Sequence, residues 1–190
     1  MNLKYTKEAL KKIYNLELKK LGNSADLQEK LTNPHLISIP DNYDKNLKVM
    51  IFGQETNDWY GELNAELDVD EFMSKYNEFW IKKKRPNSKK GPLMQTFNTL
   101  EESIGKDRVS CLWNNIIKIG KYNKIGTPNK KARDWQKNWR YVIKKEVELL
   151  EPDILIFFTG PNYDKYIEEV FGTFTKEVYK NQKTNIPMST

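Results

Sequence analysis

The sequence contains few side chains that bind metals or form disulfides. Its 190 residues include one cysteine, Cys111, and one histidine, His35. A single cysteine excludes a disulfide framework and a cysteine-based zinc site, and a single histidine nearly excludes a multi-histidine metal centre. We therefore expect no metal site and no disulfide partner. Cys111 lies inside an apolar segment, which is typical of a buried thiol rather than of a nucleophile.

Long hydrophobic runs are also missing. No apolar run approaches the ~18 residues of a membrane span. Residues 1–20 have the spacing of an amphipathic helix and lack the apolar core of a signal peptide. We therefore expect a cytoplasmic protein with no membrane partner. The 12% of aromatic residues excludes a largely disordered chain, and the length suits one domain with a real hydrophobic core.

Arginine is scarce, although the chain is basic. The formal net charge is +6 and the isoelectric point is about 9.1, but most of the basic residues are lysines. A basic chain suggests a nucleic-acid partner, whereas a composition rich in lysine and asparagine is also what an AT-rich genome encodes. We therefore give more weight to the places where lysines cluster, at 82–90 and 118–131.

Three short apolar runs predict the strands of a parallel sheet. The runs at 47–52, 109–113 and 154–158 are apolar apart from Lys48 and Ser110, which is typical of strands buried on both faces. Helical spacing follows or separates them at 69–83, 92–104, 132–150 and 163–171, and residues 174–179 form a weak further strand candidate. This alternation predicts an α/β fold, a three-layer α/β/α sandwich with a short central parallel sheet.

The sequence divides into an N-terminal part and the α/β domain. Residues 1–46 precede the first predicted strand and contain helical spacing followed by a mixed stretch with prolines. We expect them to form a helical extension that packs on the core, and residues 47–190 to form the α/β domain. Ligands of such sheets bind outside the carboxyl ends of the strands, which selects segments 53–60, 114–122 and 159–163.

The first strand end combines an amide, a carboxylate and aromatic rings. Gly53 predicts a sharp exit from the strand, and Gln54 and Glu55 follow it. A carboxylate there can activate water as a general base; alternatively, Glu55 caps a loop or pairs with a lysine. Candidates for binding a substrate beside it are Asn57, Trp59 and Tyr60.

The second strand end carries asparagines and lysines. Asn114 and Asn115 offer amides that both donate and accept hydrogen bonds, which suits the edge of a nucleobase, although asparagine is also common in plain turns. Lys118, Lys121 and Lys124 follow. Lysines interleaved with an aromatic residue suit a nucleic-acid backbone with a stacked base, and a solvated loop is the alternative.

The third strand end has a turn that can face a substrate. Thr159 and Gly160 lie between the strand and a helix, whose N-terminus can face an anion. The turn is too short for a P-loop, and no Gly-x-Gly-x-x-Gly motif follows any strand, so we expect no organic cofactor. His35 lies outside any motif, and the sequence assigns it no role.

These strand ends resemble the motifs of the uracil-DNA glycosylase superfamily. The segment VMIFGQE at 49–55 resembles the first motif, in which a strand ends in Gly-Gln-Asp-Pro. Asn115, followed by Ile-Ile-Lys118, is similar to an Asn-Val-Val-Lys form found in one branch. The segment PDILIFFTG at 152–160 resembles the third strand of that superfamily. The resemblance extends over residues 47–171.

The resemblance implies a function and a set of roles. Glu55 occupies the position of the residue that activates water, Gln54 and the neighbouring backbone hold the base or the sugar, and Asn115 or Asn114 pairs with the base. Trp59 or Tyr60 stacks on it. The reaction is hydrolysis of the N-glycosidic bond of a flipped nucleotide, without a cofactor. The implied partner is nucleic acid, with DNA favoured over RNA.

The sequence also departs from that superfamily. Thr56 replaces the usual proline, and Asn57 replaces a tyrosine that excludes thymine in one branch. No histidine follows residue 171, where the superfamily has a His-Pro loop. Two alternatives therefore accompany the glycosylase hypothesis: a catalytically inactive module of the same fold that binds nucleic acid or a nucleotide, and a small-molecule hydrolase that uses Glu55.

Overall fold

The computed structural model describes most of the chain. The described residues are 2–21, 24–41, 43, 47–56, 58–63, 68–81, 92–105, 108–175, 178–180 and 187–189. The predictions for Asn57 and for the lysine cluster at 82–90 lie outside these residues.

A parallel sheet of three strands forms the centre of the fold. Strand β1 (Leu47–Glu55) lies between β2 (Val109–Ile117) and β3 (Ile154–Phe157), and both neighbours run parallel to it. A separate antiparallel pair is formed by β4 (Val178–Lys180) and β5 (Pro187–Ser189). The prediction of an α/β fold with a short parallel sheet is confirmed.

Helices flank this sheet, consistent with three layers. The helices are α1 (Leu3–Lys20), α2 (Val69–Tyr76), α3 (Pro92–Ile104), α4 (Lys130–Trp135), α5 (Trp139–Leu150) and α6 (Asp164–Phe171), and a wider π turn, Asn77–Ile81, extends α2. Several begin at capping side chains, because a side-chain oxygen satisfies amides that the first turn leaves free. Asn2, Asp68 and Asn129 cap α1, α2 and α4 in this way.

Two strands run farther than their apolar residues predict. Pairing between β1 and β2 continues through Gly53 opposite Asn115 to Glu55 opposite Ile117. The backbone hydrogen bonds of a paired strand do not depend on whether its side chains are apolar. The polar residues therefore belong to the ends of the strands, where alternation fixes the face on which each side chain lies.

The long helix predicted at 132–150 is divided in two. Helix α4 ends at Trp135 and α5 begins at Trp139. Between them, the buried side chain of Gln136 accepts a hydrogen bond from the backbone N–H of Ile119 at 3.2 Å and donates one to its carbonyl at 2.8 Å. The Gln136 amide therefore satisfies both backbone groups of Ile119 in the core. An apolar side chain at position 136 could not form these hydrogen bonds.

The N-terminal part is helical only in its first half. Helix α1 packs against α5, and a short 3₁₀ turn, Ala25–Leu27, follows. Residues 31–35 then lie between the chain that leaves β2 and the turn at 58–63. Thr32 and His35 donate backbone hydrogen bonds to the carbonyls of Gly120 and Lys118, at 3.0 and 2.9 Å. This segment therefore brings His35 to the carboxyl end of β2.

Gly120, in the chain beyond β2, packs closely against Thr56, the residue that follows β1. A Cβ atom at this position would lie 1.8 Å from the carbonyl oxygen of Thr56. We expect Gly120→Ala to lower the free energy of unfolding by about 2–3 kcal/mol, because backbone must move to admit one methyl group. Urea denaturation measures this, with Lys124→Ala as the exposed control within about 0.5 kcal/mol of the wild type. Equal stability of the two variants would contradict the close approach.

Candidate functional site

One face of the sheet gathers the polar residues at the ends of β1 and β2. Alternation places Gly53 and Glu55 of β1 on the same face as Trp113 and Asn115 of β2. A Cβ atom at Gly53 would lie 2.5 Å from Oδ1 of Asn115. Gly53 is therefore not the strand exit that the sequence predicts. It lies within β1, and its lack of a side chain leaves room for the Asn115 amide.

Asn115 has a free donor group in the interior. Its side chain is buried, with the residue 1% exposed. Its Oδ1 accepts a hydrogen bond from Nε1 of Trp113 at 3.2 Å, whereas its Nδ2 has no partner among the described residues. A buried amide nitrogen without a partner is uncommon and needs an explanation. This one can donate to a carbonyl oxygen of a ligand.

Glu55 is held by two donors. The Oε1 atom accepts from the backbone N–H of Gly126 at 3.1 Å, and Oε2 accepts from the hydroxyl of Tyr163, which also contacts Oγ1 of Thr127. Among the described residues Glu55 forms no ion pair with a lysine. The carboxylate is half-buried and fixed in orientation, so it can stabilise positive charge or accept a proton from water.

Tyr163 remains protonated beside this carboxylate. Burial, followed by the hydrogen bond to Glu55, raises the pKa of the Tyr163 phenol to about 12. The phenol therefore keeps its proton at neutral pH and continues to donate. Tyr163 comes from the 3₁₀ turn Pro161–Tyr163, after β3. Tyr163 belongs to the strand-end segment 159–163, but no sequence motif gives this tyrosine a role.

We expect Tyr163→Phe to lower the free energy of unfolding by about 1–2 kcal/mol at pH 7, because Glu55 loses a donor. Folded Tyr163 binds its proton up to about pH 12, whereas unfolded tyrosine titrates near 10. Its contribution is therefore complete below pH 10 and is lost as the pH rises to 12. Chemical denaturation at pH 7 and 11.5 tests this against Tyr141→Phe, an exposed control. If the difference in the free energy of unfolding between Tyr163→Phe and the wild type were larger at pH 11.5 than at pH 7, the hydrogen bond from protonated Tyr163 to Glu55 would be contradicted.

The residues of the third strand end lie near Gln54. Alternation directs Gln54 to the face opposite Asn115 and Glu55, and its Nε2 donates to the carbonyl of Thr159 at 2.8 Å. Thr159 is buried, and Gly160 is exposed with a positive φ of 72°. Gln54 therefore links the ends of β1 and β3, and its amide does not face the same space as Asn115.

Asn114 and Lys118 belong to a buried network on the opposite face. Glu146 of α5 accepts hydrogen bonds from Asn114 at 2.8 Å, from Lys118 at 2.7 Å and from Tyr14 of α1 at 2.6 Å. The side chains of Lys118 and Glu146 are 0% exposed. Burial lowers the pKa of Lys118, and the charge and hydrogen bond of Glu146 oppose this shift.

This network corrects the expectation that Lys118 contacts a nucleic-acid backbone. A lysine enclosed in the core and paired with Glu146 does not reach a phosphate outside the protein. The side-chain amide of Asn114 also donates its hydrogen bond to Glu146. Of the two asparagines that the sequence left open, Asn115 is the one that lies on the face of Glu55.

The other two lysines lie nearer the surface. Lys121 is partly buried, 3.6 Å from a carboxylate oxygen of Glu29. Lys124 is exposed, and its neighbour Ile125 is 85% exposed. Because the next residue, Gly126, donates to Glu55, Lys124 and Ile125 stand at the rim of the candidate site.

Aromatic rings cover the site beside Asn115. Trp59 is 6% exposed and packs against Trp113, with ring centroids 5.3 Å apart, while Tyr60 packs edge-on against Trp59 at 4.9 Å. His35 joins the same cluster, 4.8 Å from Trp59 and 4.4 Å from Trp113 between ring centroids. Sequence reasoning missed His35 and Trp113, because only the tertiary fold brings them together.

Unpartnered polar atoms concentrate in this cluster. Six buried side-chain nitrogen or oxygen atoms have no hydrogen-bond partner within the described ranges. Five of them lie in or beside the aromatic cluster: Oδ1 of Asn33, Nδ1 and Nε2 of His35, Nε1 of Trp59 and Nδ2 of Asn115. Buried polar groups normally have partners. Their concentration at the carboxyl edge of the sheet, beside Glu55, identifies this cluster as the candidate ligand site.

The described residues provide neither a metal-binding cluster nor a membrane-spanning helix. No group of three or more histidine, cysteine, aspartate or glutamate side chains within them is arranged to hold a metal ion. None of their helices is both long and apolar enough to cross a membrane.

Comparisons with known proteins add no relative. No family model, no curated protein and no solved structure matches this chain.

Proposed function

We propose that this chain is a uracil-DNA glycosylase-like domain that binds an extruded nucleobase and hydrolyses its N-glycosidic bond. One observation carries the proposal: Glu55 and the unpartnered amide of Asn115 lie on the same face, at the carboxyl ends of adjacent parallel strands. This edge is where open α/β sheets bind ligands. The motif resemblance of residues 47–171 supports the same function.

The spacing of the two side chains suits a nucleoside. Asn115 pairs with Gly53, and Gly53 lies two residues before Glu55 on β1. The Asn115 and Glu55 side chains therefore leave the backbone at positions about 7 Å apart along the strands. In the proposed complex Nδ2 of Asn115 donates to a carbonyl of the base, and aromatic rings of the cluster stack on its face. Glu55 then lies beside the sugar.

The proposed reaction uses no group beyond the protein and water. The bond between the sugar C1′ and the base nitrogen breaks, and the base leaves with the electron pair. Glu55 stabilises the positive charge that develops on the sugar. Water attacks C1′ and gives its proton to Glu55, which passes it on to the departing base or to solvent. Tyr163 and Gly126 hold the carboxylate in position for both tasks.

The rim favours nucleic acid over a free small molecule. Lys124 and Ile125 are exposed beside Glu55. Lysine pairs with backbone phosphate, and exposed aliphatic side chains can insert between stacked bases. A surface cavity of about 570 Å³ beside Lys124 is also lined by Tyr122, Lys30, Glu29 and Glu62.

Binding requires a movement of the turn at 58–61. Asn115 is buried, and the aromatic cluster that covers it includes Trp59 of this turn. Tyr60 has a positive φ angle of 56°, which bulky residues rarely adopt, whereas Asp58 with φ of 48° is of a residue type that tolerates this region. Such strain is often found in segments that rearrange on binding. We infer that the turn opens when the base is inserted.

The experiment that tests the proposal measures base release. Single-stranded oligonucleotides, each with one uracil, one hypoxanthine or only ordinary bases, are incubated with the protein, and free base is quantified by chromatography. Binding is measured at several salt concentrations. Release from one modified oligonucleotide supports the proposal. Salt-dependent binding without release overturns hydrolysis and indicates the inactive binding module. Absence of both binding and release overturns the nucleic-acid proposal, and the small-molecule hydrolase then becomes the hypothesis to test.

A further inference from the structure

His35 is buried in the candidate site without a hydrogen-bond partner for its ring. The residue is 0% exposed, and neither Nδ1 nor Nε2 has a partner within the part of the chain that the structure describes. Its position is fixed through the backbone, because its N–H donates to the carbonyl of Lys118 at 2.9 Å. This hydrogen bond therefore positions an imidazole whose two nitrogens have no partner within the described residues.

The surroundings of His35 connect it to Asn115. Its ring lies 4.4 Å from Trp113 between centroids, and Nε1 of Trp113 donates to Asn115. Trp59 and Tyr76 contact the imidazole edge-on at 4.8 and 5.5 Å. Since Trp113 lies on the face that carries Glu55, His35 packs against that same face of the sheet.

The imidazole of His35 is neutral at physiological pH. Burial, reinforced by the positive charge of Lys118, lowers its pKa well below 6.5. A neutral imidazole carries one N–H donor and one acceptor nitrogen. Leaving both unpaired in the interior is unfavourable, so a purely structural core position would be served better by an aromatic hydrocarbon ring.

We propose that His35 is a substrate-contacting residue, one of whose ring nitrogens hydrogen-bonds to the nucleobase held by Asn115. This inference rests on the proposed function and adds to it a recognition residue from the N-terminal part of the chain. Three side chains with unpartnered polar atoms, those of His35, Trp59 and Asn115, then surround one planar ligand. The base contributes the partners that these atoms lack.

The single histidine makes a direct spectroscopic test practicable. Protein carrying Glu55→Gln, which retains the site without turnover, is labelled with ¹⁵N at histidine, so that His35 gives the imidazole signals of the chain. The uracil or hypoxanthine oligonucleotide that the protein binds is then added. We expect the ring nitrogen resonances to shift on saturation and one to acquire a hydrogen-bonded N–H or acceptor signature. Unchanged resonances at saturation overturn the proposal.

A binding measurement provides the second test. We expect His35→Phe to weaken oligonucleotide binding roughly tenfold, the effect of about one lost hydrogen bond, while His35→Gln, which keeps polar atoms, binds more tightly than His35→Phe. The matched control is Trp139→Phe, which removes the sixth unpartnered buried atom, outside the cluster. Trp139→Phe should change the thermal stability of the protein and leave its affinity for the oligonucleotide within twofold of the wild-type value.

The outcomes separate this inference from the proposed function. If the wild type binds or cleaves the oligonucleotide, and His35→Phe and Trp139→Phe bind it equally well, His35 has no contact with the base and the glycosylase proposal stands. If the wild type neither binds nor cleaves any oligonucleotide, the proposed function itself fails. Should His35→Phe not fold, the spectroscopic test on the protein that contains His35 decides.

Discussion

Replacing Glu146 by glutamine is expected to lower the free energy of unfolding at pH 7 by about 3–5 kcal/mol, the usual cost of leaving one member of a buried ion pair alone. Glu146 accepts hydrogen bonds from Tyr14, Asn114 and Lys118, and the Lys118 side chain is 0% exposed. The substitution keeps the volume but removes the negative charge that compensates the ammonium group.

The same variant has a predictable pH dependence. Burial lowers the pKa of Lys118 below 10.5, and Glu146 partly opposes this. Without the carboxylate, the pKa of folded Lys118 falls further. Between that lower pKa and 10.5 the unfolded chain binds more protons than the folded chain, so stability rises with pH. The deficit of Glu146→Gln relative to the wild type should therefore shrink between pH 7 and pH 9.5, as measured by urea denaturation.

Two further variants control for this effect. Glu148→Gln alters a surface pair with Lys145 and should change stability by less than about 1 kcal/mol. The double variant Lys118→Met/Glu146→Gln removes both charges, keeps an acceptor oxygen for Tyr14 and Asn114, and should be more stable than Glu146→Gln. If Glu146→Gln and Glu148→Gln had equal stabilities, the buried pair would not be the stabilising element that its geometry indicates.

For the proposed hydrolysis, base release should fall about 10²- to 10⁴-fold in Glu55→Gln, the range expected on loss of a general base. Glutamine keeps the shape of the side chain: its one oxygen can accept from the backbone N–H of Gly126, and its amide nitrogen can donate to the hydroxyl oxygen of Tyr163. It cannot take a proton from water or oppose a positive charge on the sugar. Oligonucleotide affinity should therefore persist while the single-turnover rate falls.

The control for Glu55→Gln is Glu168→Gln, the same change at an exposed position on α6. It should cleave at the wild-type rate. Single-turnover release of base, measured with protein in excess, reports the chemical step without product dissociation. Equal rates for Glu55→Gln and the wild type would exclude Glu55 from the reaction, even if base release itself is established.

Much of the fold could be predicted because its signals are local. Short, mostly apolar runs at 47–52, 109–113 and 154–158 locate the three parallel strands. Parallel strands bring their carboxyl ends to one edge, so the position of Glu55 and the asparagines at this edge follows from the same pattern. The break between α4 and α5 could not be predicted, because the partner of Gln136 is Ile119, which lies elsewhere in the sequence.

The sequence could not decide which polar residues face the site. Asn114 and Asn115 are adjacent, and both are polar, yet strand alternation sends one to the Glu146 network and the other to the face of Glu55. The lysine pattern likewise predicted that Lys118 binds a nucleic-acid backbone, whereas the chain beyond β2 turns it inward to Glu146. Both outcomes depend on the register with which β2 pairs to β1.

By itself, the sequence determined the fold class, the order of the strands along the chain and the edge of the sheet at which its polar motifs meet, because hydrophobic periodicity is written along a continuous segment. The tertiary structure alone decided that Gly53 makes room for Asn115, that Tyr163 supports Glu55 and that His35 joins the aromatic cluster. These contacts join residues far apart in sequence or on different strands, and their distances arise only when the packed core fixes how the segments lie against one another.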